Sequence, residues 1–593
     1  MTRSQINKYG FWLKQINCNC YCLGLKVLLE MEFADYIKAP NTDGVTLHRP
    51  FHPPLEGTLC ITGHHFILSS RSKNEELWML HRMVDSLEKK LSFCTGTIIL
   101  KCKDFRILQL DVQGIEECNN VASSIEFLMS LENPSSFYPF FHRAMFDLLE
   151  DGWTSFLPET EYGKILQNKD EWRISHVNKD YLVCPTYPQL VMVPKSIDDE
   201  TLKCVAGFRQ FGRFPVLSYY HKENKASLLR SSQPMVGANN RRCKEDERLL
   251  NVVLGSGKKG YIIDTRSQNI ALLARTKGGG FEPDVHYPMW KRMHKPIDRY
   301  FNLIDFLNKL IEACNDSNCT VDKWLSRLEN SGWLTNVKDV LTCACLVAQC
   351  LHLDGSSVLV HGAEGTDGTL TVCALAQIIL NPDCRTVHGF EALIEREFIQ
   401  AGHPFLTRCQ NGAYGAPNAR TKDQSPTFLM FLDCVYQIHQ QFPCSFEFNE
   451  QFLVTLFEHS YASQFGTFLG NCDKERHEMK LAKKTVSLWS LLNRTDELLK
   501  YLNPMYEPNM NVIWPTVAPQ SVVLWSGLYL RWVVDQSPHA EAWKTIGEIR
   551  NKEKELLSKT SKLRRILMDL EREVAERAVI SPTNVDLLPL DSC

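Results

Sequence analysis

Net charge is almost absent from this sequence: 66 Lys and Arg against 69 Asp and Glu leave −3 over 593 residues. A chain so evenly balanced has no global attraction to nucleic acid, and any contact with phosphate or a membrane must come from a local patch. No run of ~18 uninterrupted apolar residues occurs, so no spanning helix is expected. The first 30 residues carry Lys14 and Lys26 inside their most apolar part and show no clear cleavage site, a poor organisation for a signal peptide. Because Met31-Glu-Phe-Ala-Asp35 has the look of a start, residues 1–30 are expected to lie outside the fold. The 22 cysteines form neither Cys-x-x-Cys blocks with zinc spacing nor a compact disulfide framework. Scattered through apolar runs such as Leu341–Cys350, they are expected to be reduced, mostly buried thiols of an intracellular protein. Cys18, Cys20 and Cys22 are the exception, and a lone Cys-x-Cys-x-Cys is weak evidence for a metal. No metal or cofactor is expected.

What is present divides into three parts. Between residues 31 and 130, Leu59 and Ile61 alternate before Thr62-Gly63, then Phe66 and Leu68 after it: two strands and a tight turn. Glu76–His81, Thr97–Cys102 and Arg106–Val112 read as further strands. Beyond Gly114, the residues Ile115, Cys118, Ala122, Ile125 and Met129 recur at helical spacing. Short strands closed by one amphipathic helix suit a β-barrel of the pleckstrin-homology type, with an unspecific β-domain as the plainer reading. Residues 150–535 alternate strands such as Phe214–Tyr220 and Tyr261–Asp264 with helices such as Trp324–Leu328 and Leu341–Leu351, the pattern of an α/β domain. Residues 539–577 contain no proline and one glycine, Gly547. There Ala542, Ile549, Leu556, Leu563 and Leu570 recur every seven residues. Four positions after each stand Ile546, Glu553, Thr560, Leu567 and Val574. One full seam and one interrupted by Glu553 and Thr560 predict a coiled coil. Residues 578–593 form a tail.

The segment richest in chemistry is His361-Gly362-Ala363-Glu364-Gly365-Thr366-Asp367-Gly368-Thr369, between the buried strand Ser356–His361 and the apolar helix Leu370–Leu380. Three glycines let backbone N–H groups turn inward, and a helix amino terminus adds partial positive charge, the ingredients of a phosphate cradle. No Lys-Ser or Lys-Thr follows, so this is not a Walker loop.

That loop belongs to an ordered set: Asp264-Thr-Arg266, Lys277-Gly-Gly-Gly-Phe-Glu282, Arg385-Thr-Val-His-Gly-Phe390, Gly402-His403, Phe446-Glu-Phe-Asn-Glu450 and Gln464-Phe-Gly-Thr-Phe468. Together they resemble the myotubularin family of phosphoinositide 3-phosphatases, over about residues 31 to 577. The resemblance implies a pleckstrin-homology/GRAM domain, an α/β cysteine-phosphatase-like domain and a coiled-coil helix. Active members carry His-Cys-Ser-Asp-Gly-Trp-Asp-Arg-Thr in the loop. Here His361, Gly365, Asp367 and Thr369 match, the nucleophilic cysteine is replaced by Gly362, the phosphate-binding arginine by Gly368, and the tryptophan by Thr366. An arginine after Gly-His is Pro404, although Arg408 matches a second one, and an asparagine upstream of the three glycines is Ala274.

Glycine offers no atom to attack phosphorus, and without the guanidinium fork the transferred phosphate loses its bidentate donor. Glu364 and Asp367 then stand as acids without a compensating cation. Cys373 lies eleven residues past Gly362, roughly 15 Å along a helix, and cannot substitute. The resemblance therefore implies a non-catalytic regulatory subunit that stimulates active relatives of its branch, the related proteins 6, 7 and 8. Contact through Ala542, Ile546, Ile549, Leu556, Leu563, Leu567, Leu570 and Val574 is expected, with self-pairing left open. Location in the cytoplasm against endosomal or endoplasmic-reticulum membranes is expected, with at most weak contact to phosphoinositides. Two rivals are a phosphoinositide-binding module without catalysis and a metal-assisted enzyme using Glu364 and Asp367.

Overall fold

The structure, a computed structural model, describes residues 33, 35–147, 150–165, 171–254, 257–298, 300–316, 318–415 and 423–580. Cys18, Cys20, Cys22, the extension 1–30 and most of the tail lie outside them. Two units are distinguished, one up to Val534 and one from Asp535 onward.

The first unit begins with seven antiparallel strands, β1 (Asn41–Arg49), β2 (His52–Ile61), β3 (His65–Ser70), β4 (Glu75–Leu80), β5 (Val84–Leu91), β6 (Thr95–Cys102) and β7 (Ile107–Gln113). They are ordered β4-β3-β2-β1-β7-β6-β5. Alternation decides which face is buried. In β6, Ile98, Leu100 and Cys102 are fully buried, as are Leu108 (1% exposed), Leu110 and Val112 in β7. The helix Ile115–Met129 lays Cys118, Val121, Ala122 and Ile125 onto that face. The strands expected from alternation are present. The sequence reading omitted β1 and β5, where Thr-Asp-Gly and Glu-Lys-Lys interrupt the two-residue period.

The α/β part contains the short pair β8 (Trp172–Ser175) and β9 (Val191–Pro194), then β10 (Val216–His221), β11 (Ala226–Ser231), β12 (Gly260–Asp264), β13 (Trp290–His294) and β14 (Val358–His361). The last five form one sheet, ordered β10-β11-β14-β12-β13. All its pairs are parallel except the β10–β11 hairpin. Central β14 is buried at every position, as parallel strands covered on both faces should be. The helix Trp333–His352 is long and apolar enough to cross a bilayer by length and composition. It is instead a core helix, with Trp333, Val337, Val340, Leu341, Ala344, Val347 and Leu351 fully buried in the same cluster as β14. No disulfide links the described cysteines, and most of them are buried.

One carboxylate joins the β-rich part to the α/β part. Buried Asp85, on β5, accepts the main-chain N–H groups of Gly412 and Tyr414 at 2.7 Å each. Beside it lies buried Lys103, whose ammonium is pushed down to about 7 by burial and by Arg82, with Asp85 opposing. Arg531 and the Trp532 indole add contacts to the Asp104 carbonyl at 3.0 and 2.9 Å. Asp85→Ala strands two buried donors and removes the counter-charge of Lys103. It is expected to lower unfolding free energy by about 2–4 kcal/mol, measured by denaturant titration of the full chain.

The second unit is described by one 44-residue helix, Ser537–Ile580, about 66 Å long at 1.5 Å per residue.

Candidate functional site

The loop 361–369 leaves the carboxyl end of the central strand, where His361 is flanked by Ser231 of β11 and Asp264 of β12. In open α/β sheets this is where ligands and chemistry collect. The loop then enters the helix Gly368–Leu380, whose thirteen residues are apolar enough for Thr369–Leu380 all to be buried. Gly365 turns with φ +73°, and a Cβ there would stand 2.3 Å from the Ser231 carbonyl oxygen. Only glycine fits that approach.

Below the loop runs a chain of buried charges. His361 Nε2 meets Glu282 Oε2 at 3.0 Å, and Glu282 Oε1 accepts from Arg209 Nη1 at 2.6 Å. Arg209 also donates a fork to Asp246, at 2.8 and 2.7 Å, and the Tyr287 hydroxyl donates to Asp246 at 2.7 Å. None of the Arg209, Asp246, Glu282 or His361 side chains is exposed. Burial alone would raise the Glu282 carboxyl, but the neighbouring His361 and Arg209 charges hold it well below the usual carboxylate range. A second pair, Asp264 and Arg266, is bidentate at 2.8 and 2.7 Å, and Arg266 continues to the Gly280 carbonyl at 2.9 Å. The Asp264-Thr-Arg and Lys277–Glu282 motifs are thus the scaffold that holds the loop. Arg209 and Asp246 complete it, and no spacing in the sequence marked either.

The positions that matter for chemistry are filled from nearby. A Cβ at Gly362 would stand 2.7 Å from Thr265 Oγ1 and 3.4 Å from Thr369 Oγ1; one at Gly368 would meet Ile297 Cγ2 at 3.3 Å. The Ala363 carbonyl accepts from Gln233 N–H at 3.2 Å, and Arg213 donates to the Gly365 carbonyl at 2.9 Å. The Thr366 hydroxyl donates to Asp367 at 3.2 Å. Thr369 is buried without a partner for its hydroxyl. Pro404 precedes the short helix Phe405–Arg408, and Ala274 lines a cleft of about 490 Å³ with Gln233 and Lys277. Cys373 is fully buried, its thiol pushed well above the ordinary range chiefly by that burial, so no thiolate is available there.

One expectation fails. The acids of the loop do not lack a cation: Arg408 forks onto Asp367, Nε to Oδ1 and Nη2 to Oδ2, both at 2.9 Å. Burial opposes the charge on Arg408, and Asp367 more than restores it, so the guanidinium is held above its usual range. The Tyr300 hydroxyl donates to Glu364 at 2.8 Å, and the Arg408 guanidinium lies 4.7 Å from the centre of the Tyr300 ring. Fully buried His403, 3.8 Å from Asp367, is driven down to about 4 by burial and is neutral at pH 7. Asp367 itself sits at φ 50°, ψ −111°, a strained backbone for a residue with a side chain. The fork pins it there. The sequence missed this because Arg408 lies 41 residues away.

In the second unit the seam side chains are exposed, from Ile546 at 37% to Leu563 and Val574 at 66%.

Comparison with known proteins places this geometry. Residues 137–477 match the myotubularin-like phosphatase domain, and residues 46–129 match the GRAM domain of the MTMR6-9 group. The chain belongs to the myotubularin family. It is 59% identical over 544 residues to myotubularin-related protein 9 of Bos taurus, covering 92% of this chain and 99% of that one. It is 41% identical over 572 residues to the protein of that name in Caenorhabditis elegans, covering 93% and 100%. With the phosphatidylinositol-3-phosphate phosphatase MTMR7 of Pongo abelii it shares 35% over 522 residues, covering 85% and 78%. The seven-stranded sheet with its helix is therefore a GRAM domain, and the loop 361–369 belongs to a myotubularin phosphatase-type domain.

Arg408→Met removes the counter-charge of the buried Asp367 carboxylate. It is expected to cost about 3–5 kcal/mol of stability by denaturant titration. Adding Asp367→Asn, which tolerates positive φ, should recover a large part of that loss.

Proposed function

We propose that this chain is a pseudophosphatase: a regulatory subunit that pairs with an active myotubularin-related phosphatase and raises its activity toward 3-phosphorylated phosphoinositides, in the cytoplasm at endomembranes. The observation that carries the reading is the state of the loop. Gly362 and Gly368 supply neither nucleophile nor fork, and the arginines that reach the loop are committed, Arg408 to Asp367 and Arg213 to the Gly365 carbonyl. A phosphate would have to displace that carboxylate from a buried ion pair. The same pairing weighs against a metal-assisted mechanism, since Asp367 and Glu364 are occupied by Arg408 and Tyr300. The expected partners are the active relatives 6, 7 and 8. The long helix offers the surface for them: Ile549, Leu556, Leu563, Leu567, Leu570 and Val574 are all more than half exposed. Exposed apolar stripes of that extent mark an interaction face. Glu553 and Thr560 weaken a self-paired core and favour a chosen partner helix, with a homodimer as the alternative.

The purified chain is expected to release no phosphate from phosphatidylinositol 3-phosphate or the 3,5-bisphosphate. Turnover above a mock preparation that survives Asp367→Ala would overturn the reading. A phosphoinositide-binding module without catalysis is the second reading, favoured by the GRAM domain, and headgroup affinity of the chain alone would support it.

Pairing is tested separately with Leu556→Lys and Leu563→Lys together. Each large seam residue buries apolar surface at about 25 cal/mol per Å², so two charges there should abolish association. The folded double variant is expected to lose co-purification with the active phosphatase and stimulation of its activity. Unchanged binding would move the interface to the phosphatase-type domain.

A further inference from the structure

At the end of the sheet opposite the loop, the β10–β11 hairpin and the helix Trp333–His352 bring three metal-ligating side chains together. His221 ends β10 and is buried; Glu223 lies in the following turn and is exposed; His352 is the last residue of the helix and half-buried. His221 Nε2 and His352 Nδ1 are 3.0 Å apart. One donor atom from each of the three lies within 4.8 Å of the other two, and among the described residues this is the one such group.

The spacing suits a small cation. Zinc bonds of about 2.0–2.2 Å in a tetrahedron place donors roughly 3.3 Å apart, so the two rings need almost no movement. Glu223, exposed on a turn, has the freedom to swing in. Two imidazoles and one carboxylate are the borderline donor set of zinc rather than the all-oxygen set of calcium or magnesium.

The surroundings fit as well. The Asn224 N–H stands 3.4 Å from His221 Nδ1, beyond the range of about 2.7–3.2 Å for a normal bond, and holds that nitrogen only weakly. The Asn224 carboxamide donates to the Leu351 and His352 carbonyls at 3.0 and 2.7 Å, which fixes the turn against the helix end. That contact is made before any cation arrives, so little ordering remains to oppose binding. All three side chains line a cavity of about 740 Å³, which gives access and leaves a fourth position for water.

We infer that His221, Glu223 and His352 form a binding site for a divalent cation of the zinc class, fastening the hairpin to the core helix away from the degenerate loop. The full-length chain, stripped with EDTA and kept reduced, is titrated with zinc chloride against a chromophoric chelator and melted with and without zinc. Wild type is expected to bind one equivalent more than Glu223→Ala/His352→Ala, which keeps every cysteine, and to gain several degrees in melting temperature where the variant gains none. Glu223→Ala alone, a change in an exposed turn that leaves the metal-free fold intact, should weaken that equivalent at least tenfold. Equal stoichiometry and equal zinc-induced melting shifts in wild type and Glu223→Ala would overturn the site. So would a cobalt(II) spectrum of thiolate character that is the same in both.

Discussion

A guanidinium with no exposed surface supports the centre of this molecule. Arg209 joins Asp246, from the helix Lys244–Leu254, to Glu282, and Glu282 fixes His361 at the end of the central strand. Three ionised groups are expensive to bury singly and stable only when paired in good geometry, so each fixes the position of the others. The Asp264–Arg266 pair repeats the device beside it. The loop stands on both, which explains how its backbone holds a strained Asp367 and a glycine pressed against a neighbouring carbonyl.

That scaffold separates two things that an active phosphatase combines. The frame of the loop depends on buried charges contributed by β12, by the Lys277–Glu282 segment and by residues in neither. Phosphoryl transfer by a cysteine phosphatase also needs a nucleophile and a phosphate fork, and positions 362 and 368 are glycine here. Glycine at those positions supplies no side chain, and Thr265 Oγ1 and Ile297 Cγ2 stand 2.7 and 3.3 Å from where a Cβ would lie. The Arg408–Asp367 fork then neutralises what remains.

How much of this could be read from the sequence follows from distance along the chain. The strands of the GRAM domain with clean alternation, the strand–loop–helix around His361 and the helix after Ser537 are local patterns. They were legible. So was the absence of side chains at 362 and 368. The interrupted strands β1 and β5 were not, because Gly44 and Lys89-Lys90 break the period where one face meets solvent. Nor was the ion-pair network: Arg209 finds Asp246 across 37 residues and Glu282 across 73. The same blindness produced the error over Asp367, whose partner enters from a different helix.

The glycine at 362 also alters how the molecule meets oxidants. A cysteine phosphatase keeps a low-pKa thiolate in its cradle, and peroxide converts such a thiolate to sulfenic acid. In this loop there is no sulfur to oxidise, and the thiol that follows, Cys373, is sealed in the core and held protonated. Peroxide therefore finds no target at position 362 of this loop.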